Sequence, residues 1–387
     1  MRKLFVGVAV GFIGGYVAVR AAGALADLRN PAPPLEKDPV RYGATRRALM
    51  LSGIARSIAT GAVLAFDVAE RLPAKTRRNE SVRGFALYYV AATLADAVLD
   101  IPVDYAERFV LERRYGLSDQ KLADWLLDRA KSTALALALG TPLMSALTLL
   151  ARRFPRIWPA LASASIPPLL VLANLVIPLY IAPVFNKFEP LRGTLEARLR
   201  TLADRYGVGD AKILRFDLSR RSKKVNAYVT GLFHTHQIVV GDTLLEGFSD
   251  DEVEFVVAHE LGHYVARDTW IGVAAGSLAA TALIFGAHAL ARRREDPVVS
   301  LPALQRFAFY LTLLGTAAGP ILAAGSRAIE RRADRFAVRA TDRPASGISA
   351  FERLRERNLA EDEQPRWAEL LFASHPSLKS RIAALRG

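Results

Sequence analysis

Four stretches of this chain run for 20 residues or more without an Asp, Glu, Lys or Arg: Ser132–Ala151, Ile157–Asn186, Thr269–Ala291 and Phe307–Ser326. A helix needs about 20 apolar residues to cross the hydrocarbon of a bilayer, so each is read as a membrane span. Three more stretches are long enough but carry ions. Leu4–Ala26 contains Arg20, Ala48–Phe66 contains Arg56, and Gly84–Val103 contains Asp96 and Asp100. The competing reading for the last two is buried helix in a soluble protein. An ion inside a span faces protein or a wet cavity rather than lipid, and beside four clean spans the expected total is seven. Met1-Arg2-Lys3 followed by an apolar run and Ala24-Leu25-Ala26 also has the layout of a cleaved signal peptide. An uncleaved first span suits a chain that is otherwise membrane-embedded. Pro159, Pro167, Pro168, Pro178 and Pro183 fall in the fifth span, where a bundle tolerates them as kinks whose freed carbonyls find other partners.

Apolar residues make up 51% of the chain, yet the formal net charge is +14. The two coexist when apolar residues gather in spans and charges in loops. If spans one, three, five and seven have cytoplasmic ends, the loops 28–47 and 104–131 place eleven Lys and Arg inside. The other side holds a similar number, including Arg292-Arg293-Arg294. The Lys and Arg of the polar segments 187–268 and 327–387 tip the expectation towards a cytoplasmic position for those segments. The basic excess suits an anionic bilayer face, and no nucleic-acid partner is expected. There are no cysteines, which excludes a disulfide scaffold, a thiolate metal site and a cysteine nucleophile. His and carboxylates remain as the strong metal ligands.

The chain therefore divides into spans one to five with their loops (1–186), a polar segment (187–268), spans six and seven (269–326) and a C-terminal polar segment (327–387). In the first polar segment, Leu195, Leu199, Leu202 and Tyr206 have helical spacing within Leu191–Tyr206, which ends at Gly207. Lys212–Leu218, Val225–Phe233 and Gln237–Gly241 read as short strands, with His234-Thr235-His236 at a turn. Ser249 is a fitting N-cap for a helix whose first turn holds Asp250, Asp251 and Glu252. The segment from Arg327 reads as mostly helical, giving a small α+β unit interrupted by a pair of spans.

On that capped helix lies His259-Glu260-Leu261-Gly262-His263. Histidines four apart project from one helical face, so both imidazoles can reach one ion. The intervening Glu260 can take a proton from the attacking water and pass it to a leaving amine. An exposed helix with incidental histidines is the alternative. Gly262 within a helix costs about 1 kcal/mol relative to Ala, which calls for a packing or substrate-access reason. A zinc site needs a third protein ligand. Glu330 follows His263 by 67 residues with two spans between, and two crossings return the chain to the side it left. Asp334, one turn further on the same face, can hydrogen-bond a ligand histidine. A solvated helix with Glu–Arg pairs would explain both acids as well. Val225-Asn226-Ala227-Tyr228-Val229 suits a strand that holds a peptide by main-chain pairing. Asn226 or His375 can donate to a developing oxyanion; a turn Asn and a surface His are the plain alternatives.

These residues resemble the integral-membrane zinc metalloproteases of the CAAX prenyl protease 1 family. Beyond the HExxH motif, the resemblance is carried by Phe109–Leu117 with Trp125, by Ile181–Phe188 and by Asn226-Ala227-Tyr228. It continues through Asp242–Leu245, the Glu330/Asp334 pair, and His375-Pro376 through Arg381-Ile382. It covers roughly residues 85–387, and the first 80 residues match only loosely. It implies a mainly α membrane protein of seven transmembrane helices enclosing a chamber. A small zincin-like α+β metalloprotease domain is split around the last two spans. It further implies His259, His263 and Glu330 as ligands of one zinc ion, Glu260 as general base and Asp334 as a catalytic-site acid or orienter. Asn226, His375 and Arg381 match positions near substrate or zinc. The expected partners are the lipid bilayer and a peptide or protein substrate, prenylated or otherwise membrane-associated. Two other readings stand beside this one: a membrane quality-control metalloprotease, whose relatives have fewer spans, and a non-catalytic membrane receptor or transporter.

Overall fold

The computed structural model describes residues 2–31, 33–73, 81–292 and 299–386. Met1 of the N-terminal basic cluster and Arg293 and Arg294 of the basic loop lie outside the described residues. Seven helices are long and apolar enough to cross a membrane. They are α1 (Arg2–Arg29), α2 (Pro39–Arg71), α3 (Val82–Arg114), α4 (Leu122–Arg153), α5 (Trp158–Phe185), α9 (Asp268–Ala291) and α10 (Leu301–Thr341). The expected seven spans are all present, each extended at its ends by polar residues.

These helices close into a ring. α1 packs on α3, α3 on α4, α4 on α5, α5 on α9, α9 on α10, α10 on α2, and α2 back on α1. Between 0% and 11% of the most apolar window of each span is buried, so the ring is one helix thick and encloses a chamber. Several of the ions along the spans are paired between helices. Arg20 lies 3.5 Å from Glu107, Arg129 lies 2.5 Å from Asp104, and Arg56 pairs with Asp100. At the far end Arg306 is fully buried, 3.2 Å from Glu70. Pairing removes most of the cost of holding a charge at this depth. The prolines of α5 are absorbed as expected: the helix continues through Pro167 and Pro168, and one π-helical turn, Ile177–Ile181, accommodates Pro178.

The polar segments build a second unit on one end of the ring. Strands β1 (Phe188–Pro190), β2 (Lys212–Phe216), β3 (Ala227–Thr230) and β4 (Gln237–Gly241) form one sheet of order β1-β2-β4-β3. β2 pairs β4 in parallel, and the other two pairings are antiparallel. β4 is buried at every position, which its unbroken Ile238-Val239-Val240 run favours. Helices α6 (Thr194–Arg205), α7 (Asp242–Gly247), α8 (Asp250–Val265), α11 (Pro344–Arg357), α12 (Arg366–Phe372) and α13 (Leu378–Arg386) complete the unit. Its core gathers Leu199, Leu202, Ile213, Ile238, Phe255, Leu261 and Phe351.

The seventh span does not stop where its apolar run ends. The boundary drawn at 326 falls inside α10, which continues unbroken into the second unit. One continuous helix thus joins the second unit to the ring. α8 lies against α10, α11 and β3, and this crossing is where the site forms.

Candidate metal and catalytic site

Ser249 caps α8 as its sequence requires. Its hydroxyl accepts from the Glu252 N–H, and its own N–H donates to Glu252 Oε2 at 2.7 Å, a reciprocal capping box. The cap sets the phase of the helix, which turns His259 and His263 towards α10. Gly262 allows the approach: a Cβ there would meet the Phe336 side chain at 3.1–3.2 Å. The reason for this glycine is packing.

His259 Nε2 and His263 Nε2 lie 3.2 Å apart. Glu330 on α10 brings Oε2 to 3.3 Å from the first and Oε1 to 3.5 Å from the second. Ligand atoms of these three residues all fall within 4.8 Å of one another. Both Nδ1 atoms are already occupied, His259 by Asp334 at 2.9 Å and His263 by Asp268 at 2.9 Å. A carboxylate on Nδ1 keeps the proton there and leaves the Nε2 lone pair free. Two lone pairs and a carboxylate therefore face one point, and Glu330 Oε2 is buried without a hydrogen bond. Such a set repels itself unless a cation sits at its centre. The donors, two imidazoles and one carboxylate, suit zinc with one position left for water or substrate. The same electrostatics act on a proton. Burial disfavours the His259 imidazolium, but the Asp334 and Glu330 carboxylates outweigh it and push its pKa up to about 9.

Glu260 points into a cavity of about 170 Å³ that His259, Asn226, His375 and Arg381 also line. Burial pushes its carboxyl above the usual range, against the pull of His259 and His263. That is the direction a general base near neutral pH requires. His375, in the loop between α12 and α13, places Nε2 at 3.3 Å from Glu330 Oε1 and keeps 59% of its side chain exposed. Arg381 on α13 grips Asp334 through both oxygens, at 2.9 and 2.6 Å, and stacks 4.2 Å over Phe351. All eight residues singled out in the sequence meet at this one place. Asn226, immediately before β3, presents its carbonyl to the Gly241 N–H at 2.9 Å, and its side chain is left for the cavity.

Asp268 was missed. It belongs to the first turn of α9, reversed onto His263 because Arg267 adopts a left-handed φ of 58°, and Arg332 pairs with it from α10. Its only trace in the sequence is an acid five residues after His263, where the helix pattern breaks.

Two family models cover most of the chain: Peptidase family M48 matches residues 191–387, and CAAX prenyl protease N-terminal, five membrane helices, matches residues 41–187. The chain is 39% identical over 171 residues to CAAX prenyl protease 1 of Saccharomyces cerevisiae, a match spanning 43% of this chain and 37% of that protein. It is 32% identical over 316 residues to a CAAX prenyl protease 1 homolog of Arabidopsis thaliana, spanning 75% and 70%. A bacterial relative, uncharacterized metalloprotease YhfN of Bacillus subtilis, is 27% identical over 300 residues, spanning 75% and 70%. In fold, the chain resembles the crystal structure of S. mikatae Ste24p, with TM-score 0.73 over 98% of both chains at 24% identity.

Proposed function

We propose, because this chain belongs to peptidase family M48 and to its CAAX prenyl protease 1 group, that it is a zinc-dependent endopeptidase acting on membrane-associated proteins. The observation that carries the reading is the convergence of both Nε2 atoms and the Glu330 carboxylate beside Glu260. A zinc ion held by His259, His263 and Glu330 supplies Lewis acidity, polarising a carbonyl and acidifying the attacking water.

The side chains do the rest. Asp334 and Asp268 hold the Nδ1 protons and thereby aim both imidazoles. Glu260 takes the proton of the attacking water and delivers it to the leaving amine. His375 and Asn226 flank the cavity as donors to the charge that develops on the scissile oxygen. Arg381 acts through Asp334, whose carboxylate it holds in place. The outer edge of β3, the last strand in the sheet order, offers main-chain groups to an extended substrate.

The substrate class is drawn from relatives named as prenyl proteases: a peptide segment tethered to the bilayer, with a prenyl chain as one form of tether. The Lys and Arg of the polar segments support a cytoplasmic position for the site. A receptor or transporter would leave the span charges free along a path, whereas Arg56 and Asp100 of spans two and three pair with each other. A quality-control protease does not call for the five membrane helices that precede the metal-site unit. Cleavage of one peptide in farnesylated and unmodified forms tests the substrate class. Faster cleavage of the farnesylated form supports it, and equal rates point to a general membrane endopeptidase.

A further inference from the structure

Two patches of exposed apolar side chains lie where the second unit meets the ring. The first is at the turn between β3 and β4. Gly231, with a φ of 102°, folds the chain back so closely that a Cβ there would meet the Thr235 carbonyl oxygen at 2.1 Å. Thr235 locks the turn: its Oγ1 accepts from the Leu232 N–H at 3.1 Å and donates to the Leu232 carbonyl at 2.7 Å. The result tucks Leu232 into the protein and leaves Phe233 59% exposed. Phe233 also holds a left-handed φ of 58°, which a bulky residue rarely takes. In water, the strain and the exposed ring are both costs with nothing set against them. The Phe233 ring meets Trp270 edge to face, 6.0 Å between centroids. Trp270 opens the apolar run of α9 and is itself exposed. Tryptophan at the end of a span marks the headgroup level of the bilayer, and Phe233 lies at the same level.

The second patch is on α12. Trp367, Leu370 and Leu371 share one face of that helix and are 46%, 52% and 41% exposed, while Ala368 is buried. α12 packs on α10. Arg327 fastens it there, donating through Nη1 to the carbonyls of Glu369 at 2.9 Å and Ala373 at 2.7 Å. Arg327 is the first charged residue after the apolar run Phe307–Ser326, so α12 is held at the depth where the seventh span leaves the hydrocarbon. The sixth span begins on the side where the seventh ends. Patches from two distant parts of the chain therefore reach the same bilayer surface.

We infer that the second unit is seated on the bilayer itself, with Phe233 and the Trp367–Leu370–Leu371 face of α12 inserted in the interfacial layer of the lipid. Amphipathic helices and aromatic rings both suit that boundary. Arg366 at the start of α12 and Arg267 just before α9 are exposed and offer positive charge to lipid phosphates. Because Phe233 closely follows β3, this seat holds the β3 edge at the membrane surface. It does so whatever the site cleaves.

The chain has no cysteine of its own, so Phe233→Cys, Leu370→Cys and Glu246→Cys each carry a single nitroxide label. Glu246, exposed on α7, is the aqueous reference. In phosphatidylcholine liposomes, label collisions with oxygen, which concentrates in lipid, are compared with collisions with a water-soluble nickel chelate. The ratio of oxygen to chelate collisions is expected to be severalfold higher at the Phe233 and Leu370 positions than at the Glu246 position. A ratio at either of the two equal to that of the reference puts the residue in water and overturns the inference. A label shielded from both reagents means that protein covers the patch, and overturns it as well. Brominated phosphatidylcholine gives a reading without cysteine substitutions. The emission that disappears in Trp367→Phe is expected to be emission that the bromines quench in the wild type; if they leave it unquenched, α12 is not seated in lipid.

Discussion

Asp334 Oδ1 lies 2.9 Å from Nδ1 of His259, and Arg381 donates to both oxygens of the same carboxylate, at 2.6 Å to Oδ1 and 2.9 Å to Oδ2. The pair joins α10 to α8 across the centre of the site. An acid on a membrane-derived helix thereby sets the direction in which a histidine on the protease helix points.

Removing that acid's charge should loosen metal without unfolding the chain. Asp334→Asn is expected to weaken zinc binding by roughly 10–100-fold, the usual effect of losing a ligand's orienting partner. Competition against a chelator of known affinity measures it. Unchanged affinity would mean that Asp334 does not orient His259.

Asp268→Asn makes the parallel prediction for His263, again roughly 10–100-fold. Because Arg332 also rests on Asp268, Arg332→Ala separates the two contributions. A loss of affinity seen only in the aspartate variant assigns the effect to the imidazole.

Gly347 sits against the ring of Phe255, which is fully buried, and a Cβ there would come within 2.4 Å of it. Gly347→Ala should destabilise the core beneath α8 by about 1–3 kcal/mol, as overpacking does. A lowered Tm of the purified protein in nanodiscs would register this, and an unchanged Tm would contradict the packing described.

Glu252 gives α8 a sensitivity to acid. Burial alone would raise its pKa, but hydrogen bonds from Ser349 and Ser249 and the charge of Arg353 hold it below its ordinary value of 4.5. A group whose folded pKa is depressed contributes stability above its unfolded pKa and loses it as pH falls through the folded value. Stability should therefore decline as pH drops below about 4.5. The Glu252→Gln variant should show a flatter decline, read as Tm against pH.

Much of this was legible in the chain because it is local or topological. HExxH brings His259, Glu260 and His263 together through helical spacing alone. Counting crossings made Glu330 available, since two spans return the chain to its starting side, and the family resemblance singled it out. The N-cap at Ser249 could be read from four consecutive residues. What escaped depends on backbone turns and long-range pairing. Asp268 reaches His263 only because Arg267 is left-handed, and no side-chain pattern announces that. The parallel pairing of β2 with β4 and the short β1 are set by packing between segments, and three residues leave no period to detect. The continuity of α10 was hidden because its apolar stripe ends at Ser326 while its helix does not. The chamber came from resemblance; the ring of contacts supplies its physical basis.

The central claim is that Glu260 is the base of a metal-dependent peptidase whose metal is held by its neighbours. The most direct measurement pairs metal content by elemental analysis with peptide cleavage, for the wild type and Glu260→Gln side by side. The expected result is one zinc per chain in both proteins, with cleavage reduced roughly 10²–10⁴-fold or more in the variant. Cleavage retained by Glu260→Gln, or a wild type that cleaves with no metal bound, would contradict the account.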